Sequence, residues 1–305
     1  MSGYIFRRIL WMVPVLLFIS LITFALMHSV EGGPWDQEKK LPDAIVQNLN
    51  HKYGLDKPVW KQYLNFVWNA LHGDLGVSFQ RQDKPVTEII LSGFKVTAVL
   101  GMLAVATSMT IGISLGVLAA INRNSVADYA SVFLASVGSA VPNFALSIFL
   151  IYVFSVKLHV LPVFGWGSVR QAILPVATLS ALPTAFLARV TRASMLDILR
   201  QDYIRTARAK GLTSLLVLYR HAFRNALIPI ITAIGPIAAA LVTGSVVIET
   251  VFAIPGTGRL FVHSLNARDY GMIMGTTLFY AVVIAVANLA VDITYAIVDP
   301  RIRYR

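Results

Sequence analysis

The chain has 305 residues, 56% of them apolar and only 13% charged, with a formal net charge of +11 and a mean hydropathy of +0.68. A soluble domain carries about 25% charged residues, so this composition argues against a typical water-soluble fold and points to lipid as the solvent. The absence of cysteine excludes a disulfide framework, a thiolate metal site and a cysteine nucleophile. The excess of base, 26 Lys and Arg against 15 Asp and Glu, matches the basic inner loops of a membrane protein, and no nucleic-acid partner is expected.

About 20 helical residues cross a bilayer's hydrocarbon core. Residues 9–28 contain no Asp, Glu, Lys or Arg and follow Arg7 and Arg8. The run exceeds the 7–15 apolar residues of a signal peptide and no A-x-A site follows, so a retained span is expected. The connection over residues 30–95 is long enough to hold structure of its own. Within it Trp60, Tyr63, Leu64, Val67, Trp68 and Leu71 recur at helical spacing behind Pro58, which predicts an amphipathic helix. Ile45, Leu49 and Tyr53 after Pro42 predict a shorter one, "HGDLGVS" a turn, and residues 85–91 an interfacial helix. Trp and Tyr favour the headgroup level. This layer is expected on the outer face, either as a docking surface or as a packed cap.

Four more runs, residues 96–121, 129–156, 171–188 and 226–248, are free of formal charge, and a sixth, 272–298, is broken only by Asp292. Continuous apolar runs without dyad alternation predict helices, not barrel strands. Prolines at 142, 175, 183, 229 and 236 are tolerated where neighbours satisfy the freed carbonyls. Lys and Arg concentrate on one side: Arg7, Arg8, Arg123, the run from Arg189 to Arg224, and Arg301, Arg303 and Arg305. The short loops opposite hold Lys157, Arg170, Arg259 and Arg268. Both termini are therefore predicted to be cytoplasmic.

Chemistry-bearing patterns are missing. There is no G-x-x-x-x-G-K-[ST], G-x-G-x-x-G or H-E-x-x-H, and the six histidines are scattered. Asp292, with Glu249 at the edge of the fifth span, is a thin basis for an ion or proton relay. Gly112 and Gly116 form a G-x-x-x-G step suited to close helix contact. The elaborate cytoplasmic segment is "RTARAKGLTSLLVLYRHAFRNALIPI", residues 205–230. Asp202 near the start and Lys210 near the end of a short helix match its dipole. Gly211 can end that helix in a left-handed turn, and Thr213 or Ser214 can cap a second. Leu215, Leu218, Tyr219 and Ala222 would share one face of that second helix. A topology signal explains the charge alone; a helix–glycine–helix elbow with an apolar face and a basic rim suits docking into another protein.

The segment resembles the "EAA" loop of ABC-importer permeases, which fits a groove on the ATP-binding subunit. Arg205-Thr206-Ala207 stand at the Glu-Ala-Ala positions, Gly211 matches the glycine, and Phe223-Arg224 replace Leu-Pro. "RTARAKGL" with "RHAFRNALIP", "VFAIPGTGRLFVHSLNARDY", "VDITYAIVDPRIRYR", "KYGLDKPVWKQY" and "HGDLGVSF" are similar to the B-type subunit of oligopeptide/dipeptide permeases. The resemblance implies an all-α membrane protein with six transmembrane helices, in the type I ABC importer permease fold. Residues 1–95 would form an accessory first helix with an extracytoplasmic helical layer, and 96–305 the permease core, its coupling loop at about 189–225. It implies half of a translocation pathway for peptides in a bacterial cell membrane. The implied partners are a second, related permease subunit in a heterodimer, two ATP-binding subunits that bind ATP and Mg, and a substrate-binding protein outside. This chain itself would be non-catalytic, without cofactor or metal. Coupling to the ATPase falls to Arg205, Thr206, Ala207, Arg208, Lys210, Gly211 and Leu215, and outer-face contact to Pro255, Gly256 and Gly258. Related permeases carry nickel chelates, glutathione or oligosaccharides. The rival class is a self-sufficient secondary transporter, which would be expected to show intramembrane charges and inverted repeats.

Overall fold

Long apolar runs become helices in lipid because each backbone N–H and C=O is then satisfied within its own segment. The computed structural model describes residues 2–35, 42–81 and 84–298, and helices are its only named elements among them. They are α1 (Ser2–Ser29), α2 (Asp43–Tyr53), α3 (Val59–Leu71), α4 (Val86–Ile121), α5 (Val126–Ala140) and α6 (Asn143–Lys157). There follow α7 (Val169–Leu199), α8 (Asp202–Ala209), α9 (Ser214–Val242), α10 (Val246–Val251), α11 (Thr257–Asn266) and α12 (Tyr270–Val298). Asp299 and the expected inner-side Arg301, Arg303 and Arg305 lie outside the described residues.

Among the described residues, five helices are long and apolar enough to cross a bilayer, within α1, α4, α7, α9 and α12. The pair Val126–Gly138 and Asn143–Lys157, bent by 106°, makes a sixth if it is counted as one broken span. The expected run 129–156 is therefore broken, and the cause is Pro142. It has no N–H to donate and holds Val141 in extended backbone (φ −86°, ψ 123°). Two other boundaries differ from expectation. The interfacial helix at 85–91 and the second span are one 36-residue helix, α4. The fifth span starts at Ser214 and stops at Val242, because nothing breaks the helix at Phe223 whereas Gly244 turns the chain at φ 93°.

The chain forms two compact units. One draws on residues 2–97 and Pro255–Leu289, the other on Ala98–Ile254 and residues 290–298. In the first, Val86, Ile89, Ile90 and Met272 make a buried core. Asp269 is buried beside it and accepts from the Ser78 hydroxyl and from the N–H groups of Phe79 (3.1 Å) and Met272 (3.1 Å). One carboxylate thus pins the turn at residues 78–80 and caps α12.

In the second unit α7 is the central helix. A Cβ at Gly116 would lie 2.5 Å from Thr191 Cβ and 2.6 Å from the Ala188 oxygen; one at Gly112 would lie 2.8 Å from the Thr184 oxygen. The G-x-x-x-G step therefore seats α4 directly on the backbone of α7. On another side Arg192 of α7 grips Asp128 of α5 with two bonds, Nε–Oδ1 at 2.6 Å and Nη2–Oδ2 at 2.8 Å. Such a fork needs Arg and is geometrically selective.

Candidate functional site

The elbow is built from its ends inward. α8 has Asp202 in its first turn and Arg208 in its last, each complementing the helix dipole. It ends in a Schellman motif: Gly211 N–H donates to the Arg208 oxygen (2.9 Å) and Leu212 N–H to the Ala207 oxygen (3.4 Å). Gly211 sits at φ 81°, as that motif requires. Thr213 Oγ1 then accepts from Leu216 N–H and starts α9. Asn225 ties the two helices by donating to Tyr203 Oη (3.0 Å) and to the His221 oxygen (2.9 Å).

The inner side of the elbow is a core of Met195, Ile204, Ala207, Val217, Ala222 and Ala226 with Ala120. The outer side exposes Arg205, Thr206, Arg208, Lys210 and Gly211, together with Leu215 (68%) and Tyr219 (65%). Three expectations change here. Ala207 is buried in the elbow's own core and does not offer its surface to a partner. The face of Leu215, Leu218, Tyr219 and Ala222 is split, because Val217–Phe223 is wound as a π-helix. Its wider turn carries i→i+5 bonds, which brings Val217 and Ala222 to the same inner side. Finally, the second elbow helix is no separate element, since it continues unbroken into the fifth span.

The turn before α11 is also more buried than expected. Pro255 and Arg259 are exposed, while Gly256, Thr257 and Gly258 are buried. Thr257 N–H donates to Thr97 Oγ1 (2.9 Å), and Tyr280 Oη donates to Thr257 Oγ1 (3.1 Å). Gly93 of α4 makes room: a Cβ there would stand 2.6 Å from Leu260 Cδ1 and 3.2 Å from the Thr257 nitrogen. Gly256 and Gly258 are thus packing positions, not outward contacts, and Gly256 has ordinary extended backbone (φ −94°).

Sequence reasoning passed over Asp128, Arg192 and Asp269. Asp128 was detectable as the acid three residues after a Ser cap, Ser125. Arg189 and Arg192 read as loop charges, but both lie inside α7, and Arg189 donates to the Ala135 oxygen of α5 (3.3 Å).

A bundle of spans with a basic, helix-capped elbow defines a class, the membrane permease of a transport system. Residues 112–304 match the family described as binding-protein-dependent transport system inner membrane component, and residues 1–101 match its N-terminal counterpart. The chain belongs to that family. It is 42% identical over 303 residues to the dipeptide transport system permease protein DppB of Bacillus subtilis (strain 168), covering 99% of this chain and 98% of that one. It is 38% identical over 306 residues to the oligopeptide transport system permease protein OppB of Escherichia coli (strain K12), covering 100% of both. Among solved structures it resembles the inward-facing MetNI methionine ABC transporter, with a TM-score of 0.57 at 20% identity over 69% of this chain and 96% of that one. An amino acid ABC transporter gives a TM-score of 0.53 at 18% identity, covering 68% and 94%. The fold is that of an ABC importer permease in a cell membrane.

Proposed function

We propose that this chain is one permease subunit of an ATP-driven importer for peptides, forming half of the pathway with a second, related subunit. One observation carries the reading. A chain that aligns end to end with permeases named for dipeptides and oligopeptides presents, at the membrane edge, a capped elbow with a basic and apolar rim. In this reading two ATP-binding subunits, which hold the ATP and Mg, seat on Arg205, Thr206, Arg208, Lys210 and Leu215, and Gly211 sets the angle of the seat. Ala207 contributes from beneath. Both termini and the elbow face the cytoplasm, as the Lys and Arg distribution favours. Pro255 faces outward, where a substrate-binding protein delivers the cargo; Gly256 and Gly258 support its turn from inside. The chain itself performs no bond-breaking step.

Reconstitution tests this directly. Proteoliposomes holding this chain, its partner permease and both ATPases should accumulate labelled di- or oligopeptides only with ATP and the binding protein present. Peptide uptake by this chain alone, driven by an ion gradient, would replace the importer reading with a secondary transporter.

A further inference from the structure

Helix α3 has three distinct faces. Phe66, Val67, Tyr63 and Ala70 are partly buried against the rest of the first unit. Gln62, Asn65 and Asn69 form a polar face that lines a cavity of about 330 Å³ shared with Lys52 and Lys57. Between these faces runs an uncovered apolar stripe, Trp60, Leu64, Trp68 and Leu71, exposed by 61%, 55%, 66% and 72%.

The height of α3 relative to α1 decides what covers that stripe. Tyr63 Oη lies 3.0 Å from Ser20 Oγ and 3.2 Å from the Leu17 oxygen, and its ring is 5.3 Å from that of Phe24. At 1.5 Å of rise per residue, Phe24, Ser20 and Leu17 stand about 8, 14 and 18 Å down the helix from Ser29. Two turns of α3, from Gln62 to Asn69, share a single cavity with Phe24, Met27 and His28 of α1. α3 is therefore packed beside the last turns of α1, not beyond its end. On α1, a helix long and apolar enough to cross a bilayer, Phe18, Leu21, Ile22 and Leu26 are exposed. The α3 stripe is exposed beside the same span.

Resting on the permease reading above, we propose that α3 is an in-plane membrane helix, its Trp60–Leu64–Trp68–Leu71 stripe sunk among acyl chains and its asparagine face turned to the cavity it shares with Lys52 and Lys57. The chemistry agrees. Tryptophan prefers the boundary between headgroup and hydrocarbon, and an amphipathic helix of this kind lies with its apolar side about 5–10 Å into that boundary. Lys61 Nζ lies 5.3 Å over the Trp60 ring, the posture of a lysine whose stem covers apolar surface while its charge reaches the headgroups. The outer layer thus has one side held by lipid, which leaves α2 and the turn at Pro255 for a protein partner.

The chain contains no cysteine, so single-cysteine variants carry a nitroxide label cleanly. Labels at Leu64→Cys and Trp68→Cys, in the assembled importer in lipid bilayers, should collide readily with oxygen and poorly with a water-soluble nickel chelate. Asn65→Cys and Asn69→Cys should show the reverse. Chelate access at Leu64 and Trp68 would place the stripe in water and overturn the proposal. Low collision rates with both reagents there would also overturn it, since a protein surface, the second permease or the binding protein, would then be the cover. A label at Phe18→Cys separates the two levels of inference: a wet Phe18 would refute the membrane span itself, whereas an oily Phe18 beside a wet Leu64 refutes only the in-plane helix.

Discussion

Gly211→Val isolates the elbow's geometry from its packing. The backbone there stands at φ 81°, and a Cβ built on it would meet nothing within 4 Å. The added Cβ therefore meets no clash, and the main cost is the left-handed conformation, about 1–2 kcal/mol for a residue with a Cβ. A loss of that size changes a two-state population by roughly 5–30-fold. It should thus displace the elbow without unfolding a bundle held by its buried core. Asparagine tolerates this conformation far better, so Gly211→Asn is the matched control. Membrane abundance should be normal for both variants. Uptake and co-purification of the ATPases should fall for valine and hold for asparagine. If Gly211→Val transports peptide and retains its ATPases at the wild-type level, the elbow is only a topology signal and the coupling role is wrong.

Further outcomes follow from the same contacts. Gly116→Val drives its side chain into Thr191 and the Ala188 oxygen, an overpacking worth about 1–3 kcal/mol; a lower thermal midpoint of the purified complex is expected, and an unchanged one would mean that α4 does not rest on α7. Asp128→Ala leaves the partly exposed Arg192 without the carboxylate it grips at 2.6 Å, a loss of about 1.5–3 kcal/mol for a charged hydrogen-bonded pair. Adding Arg192→Met should restore part of that stability; simple addition of the two losses would show that the pair is not coupled. At the outer turn, Gly256→Val should lower stability, because the residue is buried. Pro255→Glu, at an exposed position, should leave stability intact and weaken the stimulation of ATPase activity by loaded binding protein. Full stimulation by the Pro255 variant would remove this turn from the docking surface.

Features fixed by local chemistry were legible in the sequence. The apolar runs mark the spans because lipid forces helices on them, and Gly211 followed by Thr213 marks a helix end and a helix start. What stayed hidden depends on residues far apart in the chain or on winding that no period reveals. The burial of Gly256 follows from the missing side chain at Gly93, and the Arg192 fork from an aspartate 64 positions earlier. The π-helix at Val217–Phe223 swaps which residues face inward, and a 3.6-residue reading cannot anticipate it. The break at Pro142 is the intermediate case. The proline is visible, but lipid-embedded helices tolerate many prolines, and those at 175, 183, 229 and 236 all sit within unbroken helices.

The same contacts give the elbow its mechanical character. Only Arg200 and Gln201 separate α7 from α8, and only four residues, from Lys210 to Thr213, separate α8 from α9. Both flanking helices run on as spans, and the joint between them is filled by Met195, Ile204, Ala207, Val217 and Ala222 and tied by Asn225 to Tyr203. Little slack remains on either side. On the proposed reading, a push on the rim at Arg205, Arg208 and Leu215 cannot be absorbed by loop motion. It has to move α7 and α9 together. α7 in turn holds α5 through the Arg192–Asp128 fork and α4 through the glycine contacts at 112 and 116. The buried Ala207 is then as much part of the coupling as the exposed arginines, since it makes the elbow stiff while they make it sticky. Stiffness and stickiness separate experimentally. Ala207→Leu should overpack the joint and lower transport while leaving the basic rim unchanged. Arg205→Ala with Arg208→Ala should release the ATPases from an unaltered joint. If the Ala207 variant transports normally at normal abundance, the joint is not stiff, and force must reach the spans by another route.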